Sequence, residues 1–145
     1  MKKILTVIAI LCSSSFLLAQ ANNFTLSVEV VGAKNTKGEV QFSLYNKDGT
    51  IPDKDMSRYF KIKRSKIKDG KAKVLFKDLS EGRYAVSIYH DQNNNHKIDQ
   101  GFILPNEGVG LSNFETINLF NPPNFKAASF SLNQDKKIKI KLIYF

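Results

Sequence analysis

The sequence predicts an all-β protein, an antiparallel β-sandwich of immunoglobulin-like or transthyretin-like type with about seven strands. Three observations predict it. Beyond residue 23, apolar and polar residues alternate with a period of two nearly everywhere, which turns one face of each segment to a core and the other to water. Turn-forming residues bound the alternating runs at short intervals. No run shows a sustained helical period. Two half-wet sheets packed face to face bury such strands.

Each strand has its own inward set. Phe24, Leu26, Val28 and Val30 supply the first. Val40, Phe42 and Leu44 follow the turn at Gly38, and Phe60 and Ile62 alternate with Lys61 and Lys63. After the turn Lys68-Asp69-Gly70, Ala72, Val74 and Phe76 alternate with Lys71, Lys73 and Lys77. Tyr84, Val86 and Ile88 follow the tight turn at Gly82, and Tyr84 is placed to tuck its ring inward and bond back to that turn. Ala128, Phe130 and Leu132 follow a Pro-Pro stretch, and Ile138, Ile140, Leu142 and Tyr144 end the chain. Pro52 heads a segment, 52–58, expected to form one helical turn.

The first residues belong to export rather than to the fold. Lys2 and Lys3 precede an apolar run at 4–18, and Ala19-Gln20-Ala21 offers small residues where a signal peptidase cuts. The expected division is a signal peptide, 1–21, and one sandwich domain, 22–145. The run is too short to span a bilayer, so no transmembrane anchor is expected. The protein is expected in the periplasm or secreted. Its sole cysteine, Cys12, lies in the leader, so thiol catalysis, iron–sulfur clusters and thiolate zinc sites are excluded from the mature chain. The core must hold without disulfides.

The formal net charge of +9 falls to +7 once Lys2 and Lys3 are removed. Lysines recur at outward positions 61, 63, 71, 73, 77, 137, 139 and 141, and neighbouring strands would merge them into one basic sheet face. Lysines on exposed strands also keep sheets soluble and unpaired. Specific phosphate recognition leans on Arg, and single-strand nucleic-acid binders interleave stacking aromatics with the charge. No nucleic-acid partner is expected.

One stretch breaks the alternation: His90-Asp91-Gln92-Asn93-Asn94-Asn95-His96-Lys97-Ile98-Asp99. Asp91, Asn93, Asn95 and Asp99 fall at positions 1, 3, 5 and 9 of a calcium-type loop, with the Lys97 carbonyl at position 7. A chain coiled around a cation presents every second side chain inward, and short Asp and Asn side chains fit that coil. Ca2+ is the expected ion, because oxygen ligands without thiolate favour it. Ile98 at position 8 is expected to plug into the core. His96 stands at position 6, where Gly is usual, and Phe102 stands at position 12, where a bidentate Glu is usual. Glu107, just beyond, is the candidate for the missing carboxylate. The competing reading is a turn whose Asn and Asp side chains bond their own backbone. His96 has no second imidazole at metal-ligand spacing, which argues against zinc.

A catalytic reading takes His90 as general base, Asp91 or Glu107 to orient it, and Ser112 as nucleophile. The sequence contains no nucleophile elbow and no paired-carboxylate signature, so catalysis is not the expectation. His90 shares the parity of the core residues of its strand and reads as structural.

Three segments, "GRYAVSIYHDQNNNHKID", "PNEGVGLSN" and "PPNFKAASF", resemble in that order the hallmark motifs of a secreted bacterial family, domain of unknown function 2141. Asn94 and His96 replace loop glycines that this family usually carries. The resemblance implies a small exported β-sandwich and brings no known reaction. It places Tyr89, His90, Asp91, Asn93, Asn95, Asp99, Glu107, Ser112 and Asn113 at one end of the sandwich, with Gly108 and Gly110 freeing the second loop to close over the first. The expected function is therefore an exported cell-envelope module that binds a ligand or partner, with Tyr89, His90, Ser112 and Asn113 as ligand-binding residues beside the calcium-type loop. An envelope protein or glycan is the expected partner, and the chain is expected to be monomeric. An envelope hydrolase using His90 and Glu107, or an anionic-polymer binder using the lysine face, are the alternatives.

Overall fold

A computed structural model describes residues 23–99, 105–118 and 120–145. The expected signal peptide and Phe102 lie outside those residues. Eight strands form two sheets. They are β1 (Asn23–Val31), β2 (Glu39–Tyr45), β3 (Lys61–Ser65), β4 (Lys71–Ser80), β5 (Gly82–Asp91), β6 (Val109–Leu111), β7 (Phe130–Leu132) and β8 (Lys136–Lys141). One short helix, α1 (Phe125–Ala128), precedes β7. The first sheet has the order β4-β1-β8, and the second β3-β2-β5-β6 with β7 paired to β5. All described pairings are antiparallel except β1 with β8, which is parallel. Among the described residues no helix is long and apolar enough to cross a membrane.

Even-numbered residues form most of the core between the sheets, as the period of two requires, and Ile67 and Leu79 join them outside that parity. In the first sheet Val28 stands between Val74 and Ile138, and Val30 between Ala72 and Ile140. In the second, Phe42 opposes Ile88 and Leu44 opposes Val86. These form one apolar cluster with Leu26, Phe76 and Leu132, against which the partly buried Ile138 packs. Tyr84 closes it: its hydroxyl donates to the Ser80 carbonyl at 2.9 Å, back across the Gly82 turn.

Four elements depart from the sequence reading. β6 lies in the stretch read as the second loop, since three residues are too few to show a period. The strand expected from Ala128 begins at Phe130, because Asn124 caps a helical turn by accepting from Ala127 N at 2.8 Å. The segment 52–58 turns without forming a helix; Met56 takes a positive φ of 52°, outside the helical region. The lysines do not share one face either, because β3 belongs to the second sheet while β4 and β8 flank β1 in the first.

The outer faces of the two sheets differ. The first is open to water. The second is covered by the chain segments around 46–59 and 112–128. Tyr45, Ile51, Ala85, Leu111, Phe114, Phe125 and Ala128 pack there as a second apolar cluster.

Candidate functional site

β5 delivers the site. Its last residue, Asp91, stands opposite Glu39 of β2, and its side chain is fully buried at 0% exposure. The loop then coils tightly, with Asn94 and His96 at φ of 58° and 60°. His96 thus adopts the left-handed turn that position 6 demands, although Gly takes it with less strain. The carboxylate of Asp91 fixes the coil: Oδ1 accepts from Asn95 N at 3.1 Å and Oδ2 from His96 N at 2.9 Å. Asn93 Oδ1 accepts from Asn95 N, and Asn95 Oδ1 from Lys97 N. Asp99 accepts from the side-chain amides of Asn93 and Asn95, at 2.6 and 2.8 Å. Positions 1, 3, 5 and 9 of the loop therefore form one connected cluster.

Glu107 completes it from the second segment. His90 N donates to Gly108 O at 2.8 Å, which extends the β5–β6 pairing and carries Glu107 alongside the loop. There Glu107 Oε1 accepts from Gln92 N at 3.0 Å and Oε2 from Asp99 N at 3.2 Å. Asn106 N donates to Asp99 O. Glu107 is only 3% exposed, and its pKa is raised: burial is the largest cause, and the carboxylates of Asp99 and Asp91 add to it. The two backbone N–H donors pull the other way.

The glycines of this segment serve close approach. A Cβ on Gly108 would stand 2.5 Å from the Tyr144 ring, and one on Gly110 would stand 2.7 Å from Lys141 O. The second loop is thus tightly packed, where the sequence reading expected freedom to close.

Each cluster oxygen named above as accepting a single N–H keeps a second lone pair. The oxygens the loop offers are the carboxylates of Asp91, Asp99 and Glu107 and the amide oxygens of Asn93 and Asn95, but the three carboxylates do not bring ligand atoms within 4.8 Å of one another. Oxygen donors without thiolate suit a hard cation such as Ca2+ rather than a soft metal, and such a site would need the three carboxylates to draw closer together. On the adjacent corner, Glu39, Asp91 and His96 bring ligand-type atoms within 4.8 Å of one another. There His96 Nδ1 lies 3.3 Å from Asp91 Oδ2, and Glu39 is shared with Arg64 at 3.5 Å, so that corner already holds opposite charges.

The remaining expected residues are placed elsewhere or engaged. Both ring nitrogens of buried His90 are used: Nε2 stands 2.7 Å from the Lys37 carbonyl and Nδ1 2.7 Å from Tyr144 Oη. A carbonyl only accepts, so Nε2 carries the proton and Nδ1 accepts from Tyr144. Tyr89 points to the opposite face of β5, where its hydroxyl donates to Gln41 Oε1 at 3.3 Å. Burial raises its pKa well above the usual tyrosine value. Ser112 and Asn113 do not join the loop. Ser112 Oγ accepts from Val86 N and donates to Ala128 O, near the middle of β5. Asn113 donates its side-chain amide to the carbonyls of Ala128 and Ser129 at the end of α1. Ile98 is half-buried and belongs to neither apolar cluster, in place of the core plug expected of it.

Two partners of the site escaped sequence reading. Tyr144 continues the even-numbered inward set of the last strand, so it reads as core. Glu39 opens β2, and only its register opposite Asp91 brings it to the site.

The fold and the cluster define a small β-sandwich that carries an acidic, oxygen-rich loop at the end of its central strand. A family model described as "Uncharacterized protein conserved in bacteria (DUF2141)" matches residues 28–141, and the chain belongs to that family. No curated protein matches the chain, and neither does any solved structure.

Proposed function

We propose that the protein is an exported binding module of the cell envelope whose Asp91–Asp99 loop takes Ca2+ and is pinned by it, and that it does not act as a catalyst. The leader-like residues 1–21 support export. The observation that carries the calcium reading is Glu107. Buried, it accepts from Gln92 N and Asp99 N at the two ends of the loop, so a carboxylate beyond Asp91 and Asp99 stands beside it, ready to close on an ion. A bidentate Glu closes such loops from within the loop itself; here the closing residue comes from the neighbouring segment.

Against catalysis stands the use of the candidate groups. His90 spends both nitrogens on Lys37 and Tyr144, and Ser112 spends its hydroxyl on Val86 and Ala128. An envelope protein or glycan remains the proposed partner of a monomeric chain.

The test is thermal unfolding with calcium and with chelator, alongside calorimetry. Affinity on the order of 10⁻⁴ M is expected, as for extracellular modules. At a hundredfold excess the ion adds roughly 2.7 kcal/mol of stability. Asp91→Ala and Glu107→Gln should remove the calcium-dependent rise in Tm, while Lys73→Ser should keep it. A wild-type melting curve indifferent to both reagents, with no binding heat, reduces the loop to a self-bonded turn. Hydrolysis of an ester, glycoside or peptide that His90→Ala abolishes without unfolding would establish the hydrolase instead.

A further inference from the structure

A cleft of about 820 Å³ lies over the outer face of the second sheet, with Ile98 of the acidic loop in one of its walls. Its floor is Tyr45, Ser87, Val109 and Leu111, outward side chains of β2, β5 and β6. Met56, Ile98, Ile117 and Phe145 wall it from four separate segments. The volume falls inside the range of about 300–1,000 Å³ typical of small-molecule sites. The lining is apolar with few polar groups, as in such sites.

Those polar groups decide the ligand. Asp53 lines the cleft, but its carboxylate is committed: Oδ1 accepts from Ser57 N, and Oδ2 from Arg58 N and Tyr45 Oη. Arg58 also pairs with it at 3.5 Å. Among the described residues, nothing bonds the Ser87 hydroxyl, and no carboxylate pairs with Lys54 at the rim. Asn118 Oδ1 accepts from Asn121 N, so what is left over is one cation at the edge, one hydroxyl in the floor and the Asn118 side-chain N–H groups, all donors and no anion. A peptide finds no partner for its backbone here, because the floor strands β2 and β5 pair on both sides within the sheet, and on the outer edge of β6 Val109 is bridged to Ile143 while Leu111 O accepts from Phe114 N. At about 30 Å³ per heavy atom, the volume a water molecule takes in the liquid, the cleft has room for roughly 27 atoms.

We propose that this cleft binds one anionic amphiphile of the long-chain fatty-acid type, with its chain along the Val109–Leu111 floor and its carboxylate at Lys54. Chain burial supplies the affinity. Lys54 supplies orientation and a modest preference for an anionic head. The exposed ring of Phe145 at the wall is the apolar surface that the chain would cover.

The purified protein, stripped of lipid on a hydrophobic resin, is titrated with a dansyl-labelled undecanoate, and palmitate is used to displace it. The expected result is a single saturable site with a blue-shifted probe, displaced by palmitate whether or not calcium is present. Ser87→Phe fills the floor and should abolish uptake. Lys54→Glu changes an exposed side chain and should weaken palmitate roughly threefold, the scale of a rim ion pair, while leaving uncharged monopalmitin unchanged. If Ser87→Phe does not fold, the Lys54→Glu contrast between palmitate and monopalmitin decides alone. The proposal fails if a correctly melting wild type shows no saturable uptake, or if Lys54→Glu treats both lipids alike. It also fails if light scattering shows a dimer whose formation excludes the probe, since the cleft would then hold a second copy. Calcium-dependent melting is measured separately, so the loop reading stands or falls on its own.

Discussion

The two sheets bury their inner faces in the same way and differ in their outer ones. On the first, the outward residues of β1 lie in rows edged by exposed lysines: Glu29 between Lys73 and Lys139, Val31 between Lys71 and Lys141, and Ser27, itself buried, between Leu75 and Lys137. Charge there marks water. On the second, the outward residues are also largely polar, yet they are buried: Gln41, Ser43, Tyr89 and Asp91 all lie at or below 1% exposure. They are satisfied by one another. Gln41 Oε1 accepts from Arg64 Nε at 3.0 Å and from Tyr89 Oη, and Gln41 Nε2 donates to Ser43 Oγ. No buried side-chain nitrogen or oxygen among the described residues lacks a partner. A polar residue on an alternating strand therefore means solvent on one sheet and a hydrogen-bonded second interior on the other. The loop cluster and the cleft both depend on that covered face.

The largest effect that tests this contrast comes from what the sheets share. Phe42 is fully buried in the common core opposite Ile88. Phe42→Ala should destabilise by about 3–5 kcal/mol, through lost transfer energy and the cavity left behind. Urea unfolding with an unchanged m-value would read it directly. A loss below about 1 kcal/mol would mean that the two sheets do not share this core.

The covered face comes second. The Ser112 hydroxyl ties Val86 N of β5 to Ala128 O of α1, and it is buried. Ser112→Ala leaves both backbone groups without that partner. The expected loss is about 1–3 kcal/mol, since an orphaned buried donor costs its desolvation. Hydrogen exchange should quicken at Val86 and in the α1 segment before it does in β1. If Ser112→Ala is neutral while hydrolytic activity disappears, Ser112 is a nucleophile rather than a tie.

The same contrast explains what was legible in the sequence. β1 and β4 read cleanly, because β4 meets water on one face, where Lys71, Lys73 and Lys77 alternate with the buried Ala72, Val74 and Phe76. β5 read well through Tyr84, Val86 and Ile88, but its other parity is buried too, so Tyr89 and Asp91 looked like loop chemistry when they are also part of a covered face. β6 left no period in three residues. Its position follows from long-range pairing with β5 and the bridge of Val109 to Ile143. The acidic loop was legible because ligand spacing is local: Asp91, Asn93, Asn95 and Asp99 are near in sequence and meet in space. Glu107 was reachable because the segment carrying it lies just beyond. Ser112 and Asn113 were placed wrongly at the same end. Adjacency in sequence to Glu107 says nothing about distance along a strand that runs antiparallel to β5. The cleft was invisible, since its walls come from four segments, and the one motif among them, the loop carrying Ile98, predicted that side chain in the core rather than in a cleft.

The smallest effect tests the open face. Lys73 and Lys139 flank Glu29, and only Lys139 reaches it, at 3.6 Å with its side chain two-thirds exposed. An exposed pair of that kind contributes about 0–1 kcal/mol. Lys73→Ser should therefore change stability by no more than about 0.5 kcal/mol, and removing a like charge from a crowded row compensates for part of any loss. Its informative consequence lies in the partners of that face. If the row only keeps the sheet soluble, Lys73→Ser and the double change with Lys71→Ser leave retention on heparin following net charge alone. Placing the same two neutral residues at Lys47 and Lys66, away from the first sheet, should then lower retention equally. If the face is a binding surface for anionic polymer, the Lys71 and Lys73 pair lowers retention more than the Lys47 and Lys66 pair does. The slope of log affinity on log salt should then fall by roughly two, one for each lysine that no longer neutralises a phosphate or sulfate. Equal retention for the two double variants returns the lysines to the role that exposed strands ordinarily give them: charge that holds a flat sheet apart from its neighbours.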